Sequence, residues 1–223
     1  MIVAAVPVKD LGNAKQRLMA VLDAAERAEL ARVMLRDVLR ALTGARLDAI
    51  WLVTRDADVI AIGRAFGVTI VSEDANRGHT AAVAHAQREA VTVRAGVFLT
   101  IPGDVPCVRP EEIDALTRAA SESGVAFTPS RSGLGTNGAA LAPPQAMALT
   151  FGEPSFDNHL AAARRGGFSP RVLAQAGLGL DIDDPGDLRA LLTEGSHTES
   201  GRLVGGWTVA ERLSPPVGAR DSR

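Results

Sequence analysis

Val3-Ala4-Ala5-Val6-Pro7-Val8 runs directly into Lys9-Asp10-Leu11-Gly12-Asn13-Ala14-Lys15-Gln16-Arg17-Leu18. An apolar run this continuous reads as a strand buried on both faces, the habit of parallel sheets covered by helices, and it spans about Met1–Val8. A loop carrying Lys9, Lys15 and Arg17 follows. Ligands of α/β folds collect outside the carboxyl ends of strands, so amides and fixed cations at this point predict a bound nucleoside triphosphate. The spacing is not that of a Walker loop, and no dinucleotide fingerprint is present, which disfavours both of those nucleotide-binding classes.

The pattern set by the first strand repeats. Runs rich in Val and Ile at Ala49–Val53, Val68–Val71, Val97–Ile101 and Val125–Phe127 predict further strands. Between them lie segments of helical period: Ala24–Leu42, with Leu30, Met34, Val38 and Leu42 four apart, then Asp58–Phe66, Thr80–Val93 and Pro110–Ser123. This alternation predicts an α/β fold with a mostly parallel sheet. From Ser130 to Pro154 the order breaks into a Gly-, Ser- and Pro-rich stretch around a short strand, Ala139–Ala142, and loops of that length in compact domains are usually functional. A helix over Phe156–Arg165, a strand near Leu178–Ile182 and a short helix opened by Asp184-Pro185 complete a domain of residues 1–194. Residues 195–223 are small and polar and read as a mobile tail, although Leu203, Val204, Trp207, Val209 and Leu213 could dock on the body or on a second subunit.

Composition narrows the partners. With 223 residues, 46% of them hydrophobic, the chain can bury one substantial core. A net charge of −2 gives no electrostatic case for nucleic acid or an anionic membrane. A single cysteine, Cys107, and the lack of an 18-residue apolar run lead us to expect a cytoplasmic protein.

Several groups could carry chemistry. Asp104, in Ile101-Pro102-Gly103-Asp104-Val105-Pro106, ends a central strand and would present hard oxygens suited to Mg²⁺, unless it only starts the turn before Pro106. In Asp181-Ile182-Asp183-Asp184-Pro185, Asp184 suits a helix cap, while Asp181 and Asp183 share a side and their mutual repulsion is best relieved by a cation. Gly78 and Thr80 open a helix whose N-terminus favours an anion or a ribose hydroxyl, and His79 between them is a candidate contact, although a lone loop histidine is more often an exposed bystander. Thr136, the Gly152 amide and Ser155 could receive a phosphate or carboxylate, though Ser155 serves equally well as an N-cap.

Taken together, Pro7-Val8-Lys9, Ala14-Lys15-Gln16-Arg17-Leu18, Pro102-Gly103-Asp104-Val105-Pro106, Gly135-Thr136-Asn137, Phe151-Gly152-Glu153-Pro154-Ser155-Phe156 and Asp181-Ile182-Asp183-Asp184-Pro185 resemble the 2-phospho-L-lactate guanylyltransferase family. That family includes phosphoenolpyruvate and 3-phospho-D-glycerate guanylyltransferases, and the resemblance runs from Met1 to about Leu192. It implies a three-layer α/β/α Rossmann-like mixed sheet of the nucleotide-diphospho-sugar transferase type. It also implies GTP as donor, a small phosphorylated three-carbon acid as acceptor, Mg²⁺ as cofactor and a place in deazaflavin coenzyme synthesis. A homodimer and hand-off of product to the next enzyme are further expectations. Carried over by residue, Lys15 and Arg17 match the triphosphate cations, with Pro7, Lys9, Gly78 and Thr80 around the nucleotide. Asp104 and Asp183 match the metal aspartates, so Lys15, Arg17 and Asp104 would be catalytic, and Thr136, Gly152 and Ser155 match the acceptor-phosphate site. Gly78-His79-Thr80 departs from the family's usual Leu-Asn turn, and Asp184 stands where Thr is more typical. The rival readings are another nucleotidyltransferase of the same fold, such as a cytidylyltransferase or molybdopterin guanylyltransferase, and a nucleotide-binding protein without turnover.

Overall fold

The computed structural model describes residues 1–9, 11, 15–72 and 78–213. Gly12, Asn13 and Ala14 of the opening loop, Asn76 and Arg77 before the third helix, and residues 214–223 of the tail therefore lie outside the described residues. In chain order the elements are β1 (Ile2–Pro7), α1 (Ala24–Gly44), β2 (Ala49–Val53), α2 (Ala57–Ala65), β3 (Thr69–Val71), α3 (His79–Thr92), β4 (Val97–Thr100), α4 (Pro110–Ser123), β5 (Val125–Pro129), β6 (Thr136–Leu141), α5 (Ser155–Arg165), β7 (Arg171–Val172), α6 (Pro185–Glu194), α7 (Glu199–Gly206) and α8 (Val209–Leu213).

One seven-stranded sheet orders the strands β3-β2-β1-β4-β6-β5-β7. β1 pairs in parallel with β2, Val3 opposite Ala49, and with β4, Ile2 opposite Val97. β6 runs antiparallel to both β4 and β5, so the sheet is mixed. Chain order reverses at β1, whose next element in the sheet on one side is β2 and on the other β4, and the loops leaving these two strands part to open a crevice. Gly103 sits where the two loops approach: a Cβ there would lie 3.1 Å from Val8.

Strand periodicity explains the layers. Ala4 and Val6 of β1 face one way, with Leu52, Leu99 and Ala126, onto α1, α2 and α4. Val3 and Ala5 face the other, with Trp51, Phe98 and Phe127, onto α3 and α5. These are the three layers expected. A further cluster lies outside them, where Leu18, Leu30 and Met34 meet Leu180, Ile182, Leu188, Leu191, Val204, Val209 and Leu213. The four-apart set on α1 is thus divided: Val38 and Leu42 pack toward the sheet, while Leu30 and Met34 turn outward to α6, α7 and α8.

Two expectations are corrected. Leu178–Ile182 is buried and apolar but joins no strand, because β4, β6 and β5 already pair with one another and the short β7 takes the edge. Its amides are held elsewhere: Gly177 and Leu178 donate to the Glu112 carboxylate, and Ile182 donates to the Asp104 carbonyl. Gly138 lets the segment pack close to the sheet, since a Cβ there would meet Leu178 at 2.8 Å. The tail, expected to be mobile or to dock through Leu203, Val204, Trp207, Val209 and Leu213, is not loose over 195–213: it carries α7 and α8 and docks on the body, with Val204 and Val209 fully buried. Asp37 on α1 fastens it, accepting from the amides of Glu199 and Ser200 and from the Ser200 hydroxyl at 2.7–3.0 Å.

Candidate active site

The crevice between the loops after β1 and β4 holds a cavity of about 550 Å³ lined by Pro7, Lys9, Lys15, His79, Asp104 and Asp183, with Met34 and Leu35 of α1 on its apolar side. Lys15 is the centre of its charge. The residue adopts the left-handed conformation, φ 59° and ψ 42°, uncommon for a side chain bearing a Cβ and found most often where a site imposes it. A single 3-10 turn, Gln16–Leu18, follows, pinned by fully buried Leu18.

The Lys15 ammonium is nearly buried and lies 2.5 Å from Asp104 Oδ2 and 2.8 Å from Asp183 Oδ1. Burial alone pulls such an ammonium down, but Asp104 and Asp183 outweigh it and push Lys15 up to about 12. Burial likewise raises Asp183, and the opposing charge of Lys15, aided by Arg17, holds its carboxyl below the usual carboxylate range. The other oxygen of Asp104, Oδ1, is buried with no hydrogen-bond partner among the described residues. The bond from the Ile182 amide to the Asp104 carbonyl, 3.1 Å, brings the two acidic segments together.

The acidic triplet divides its work. Asp184 caps α6, accepting from Gly186 and Asp187, while Asp187 accepts from the Asp183 and Asp184 amides. That leaves the Asp183 carboxylate for Lys15. Asp181 is held by Asn137, whose amide nitrogen donates to it at 3.0 Å; its pKa is raised, by burial first and then by the charges of Asp104 and Asp183.

Asn137 adjoins a second cluster. Thr136 and Ser155 are both buried, their hydroxyls 3.3 Å apart, and His159 closes the group with Nδ1 2.9 Å from Thr136 Oγ1. The N-cap of α5 is Pro154, so Ser155 is no cap; its hydroxyl turns into the cluster. Gly152, exposed at φ 115°, stands nearby in the chain with open space where a Cβ would be. The cluster does not line the large cavity. The two regions approach through Asn137 and Asp181, and again where Thr80, at the start of α3, bonds Phe151: the Phe151 amide donates to the Thr80 hydroxyl at 2.9 Å.

The structure therefore brings Pro7, Lys9, Lys15, Asp104 and Asp183 to one cavity and Thr136 and Ser155 to a neighbouring buried cluster of hydroxyls. Arg17 is exposed beside them, and the Thr80 hydroxyl is engaged with a loop. Two residues stand out that sequence reasoning underrated. His79 is no exposed bystander: it lines the cavity and packs edge-on against Phe151, ring centroids 4.6 Å apart. His159 drew no notice in the sequence, where a lone histidine on an amphipathic helix, among Asp157, Asn158, Arg164 and Arg165, reads as an ordinary surface residue. Its position one turn after Ser155 was the available clue.

Comparison with known proteins places the chain in a family. Phosphoenolpyruvate guanylyltransferase of Rubrobacter xylanophilus is 39% identical over 86% of this chain and 94% of its own. The 2-phospho-L-lactate guanylyltransferase of Methanothermobacter thermautotrophicus is 32% identical over 88% and 86% respectively. Among solved structures, a Desulfovibrio desulfuricans G20 protein assigned to the nucleotide-diphospho-sugar transferases superposes with a TM-score of 0.78, covering 95% of this chain and 97% of that one at 17% identity. The family model described as "Guanylyl transferase CofC like" matches residues 2–206, and with relatives this similar over nearly its whole length, this chain belongs to that family of nucleotidyltransferases.

Proposed function

We propose that this protein transfers GMP from GTP to the phosphate of a small phosphorylated three-carbon acid, releasing pyrophosphate, as a step of deazaflavin coenzyme synthesis. What supports the reading is the adjacency of two arrangements: a cavity with Lys15 held between Asp104 and Asp183, and a buried cluster of hydroxyls at Thr136 and Ser155. The names of the relatives support it. Phosphoenolpyruvate is the first acid to test, since the Rubrobacter enzyme carries that name.

The donor set fits Mg²⁺. Asp104 Oδ1 is a buried carboxylate oxygen without a partner among the described residues, Asp183 lies across Lys15 from it, and Mg²⁺ is commonly held by one or two carboxylates together with substrate phosphates. When bound there, the ion would neutralise phosphate charge at the reacting phosphorus.

The chain's own residues do the rest. Lys9, Lys15 and Arg17 bring positive charge to a triphosphate, and stabilise the pyrophosphate as the bond from the α-phosphorus to its bridging oxygen breaks. Thr136, Ser155 and the Gly152 amide would hold the acceptor so that one phosphate oxygen lies in line with that bond and forms the new one. A phosphate monoester is already ionised near neutral pH, with its second pKa at about 6, so no general base is needed.

Pyrophosphate release, measured for each of GTP, ATP, CTP and UTP against phosphoenolpyruvate, 2-phospholactate and 3-phosphoglycerate, tests the proposal. Release that requires GTP and one of these acids is expected. Equal or greater release with CTP, or none with any acid, would overturn it.

A further inference from the structure

The proton on Thr136 is directed by His159, and the directing can be read from who donates to whom. His159 is 2% exposed, one helical turn beyond Ser155. Its Nε2 lies 3.0 Å from the backbone nitrogen of Thr150. A backbone N–H can only donate, so Nε2 must be the bare, accepting nitrogen of the ring. A neutral imidazole then carries its hydrogen on Nδ1, and that hydrogen is donated to Thr136 Oγ1 at 2.9 Å. The Ser155 hydroxyl donates to the same oxygen. With both lone pairs of Oγ1 occupied, the Thr136 hydrogen has no role left but to be given away.

The surroundings hold this arrangement in place. Phe127 stacks on the His159 ring with centroids 5.4 Å apart, and Phe151 meets it edge-on at 5.2 Å. Burial also disfavours a charged ring, whose pKa falls to about 4; an imidazolium would set two N–H groups face to face at Thr150. The Thr150 bond fixes the start of the loop that carries Phe151 and Gly152, and Thr80 fixes the loop from the other side, accepting from the Phe151 amide.

We propose that His159 is a positioning residue for the acceptor site: it makes Thr136 an obligate hydrogen-bond donor and anchors the 150–152 loop, selecting an acceptor-only ligand, a fully ionised phosphate monoester. The inference deepens the acceptor-site reading above and rests on it. It needs neither contact between His159 and substrate nor proton transfer by it.

Steady-state kinetics of the full chain with GTP, Mg²⁺ and phosphoenolpyruvate test it, together with thermal unfolding of each variant. His159→Phe keeps the ring packing and removes both nitrogens; it should raise KM for the acid at least ~10-fold while changing KM for GTP less than ~2-fold, with a melting temperature lowered by several degrees as the Thr150 amide loses its acceptor, but still folded at the assay temperature. His159→Asn places an amide nitrogen near the Nδ1 position and should recover much of the loss, whereas His159→Gln, whose amide reaches the Nε2 position instead, should recover less. Thr136→Val separates this inference from the reading beneath it. If Thr136→Val raises KM for the acid but His159→Phe does not, or raises both KM values alike, His159 is only packing and the inference is overturned while the acceptor site stands. If Thr136→Val leaves KM for the acid unchanged, the acceptor site itself is wrong and the inference falls with it. Should His159→Phe not fold, Asn and Gln variants with equal KM for the acid would overturn the inference, and Asn clearly better than Gln would support it.

Discussion

Lys15 shows at the scale of one residue how a site is held before its ligands arrive. A buried ammonium is costly to take out of water, and here it is tolerable because two partly exposed carboxylates face it, leaving the group with one negative charge in excess. The sequence made Lys15, Asp104 and Asp183 visible by their places after strands, but not their mutual contact, because the pairing spans 168 residues of chain. His159 was hidden in the same way, since its partners lie on β6 and in the loop at Thr150, and its place one turn after Ser155 was the local sign of it. Its burial has a consequence for stability. The folded ring binds its proton near 4 and an unfolded one near 6.5, so stability is whole above 6.5 and is lost as pH falls from there toward 4. The shift corresponds to a loss of order 3 kcal/mol by the lower pH. Other groups titrate in that range, so the quantity to measure is a difference: urea unfolding of the parent and of His159→Phe at several pH values. The parent should lose more stability than the variant between 6.5 and 4, and parallel curves would refute the assignment.

Secondary elements were legible where period and burial agreed. β1, β2, β4 and α4 appear close to their expected bounds because each has a continuous apolar run or a Pro-initiated acidic first turn. Leu178–Ile182 has the composition of a strand, but amides in and beside it are bonded to Glu112 and to the Asp104 carbonyl, partners that only the folded chain brings to it. α7 was missed because its anchor, Asp37, sits 162 residues earlier, on α1, where an acidic side chain reads as a solvated face. That carboxylate is buried and takes bonds from Glu199, Ser200 and Arg40. Asp37→Ala leaves two helix-start amides without it and should cost about 2 kcal/mol in urea unfolding. A change below about 0.5 kcal/mol, the range of ordinary surface substitutions, would show that α7 is held by its apolar contacts alone.

For the molecule as a whole, the sheet, its two helical layers and the outer cluster form a continuous body, and no helix among the described residues is long and apolar enough to cross a membrane. The outer cluster bears on the site because Leu180 and Ile182, which flank the acidic segment, are buried in it together with Val204, Val209 and Leu213. A chain ending at Glu194 would expose that surface. Loss of three buried side chains at about 1.5–3 kcal/mol each predicts destabilisation of order 5 kcal/mol or insolubility, together with weakened GTP-dependent turnover as Asp183 loses its support. A truncated protein as stable and active as the parent would show that the outer helices are dispensable.

The proposed reaction forms a bond between an acceptor phosphate oxygen and the α-phosphorus of GTP beside Lys15, Asp104 and Asp183. Mass analysis of products from the full chain given GTP, Mg²⁺ and phosphoenolpyruvate labelled with heavy oxygen in its phosphate tests it most directly. The account predicts one pyrophosphate, free of label, for each guanosine-diphosphate-linked acid, which retains the label, and at least ~10²-fold slower formation of both in Asp104→Asn. Label in pyrophosphate, inorganic phosphate in its place, or an Asp104→Asn variant of undiminished rate would contradict it.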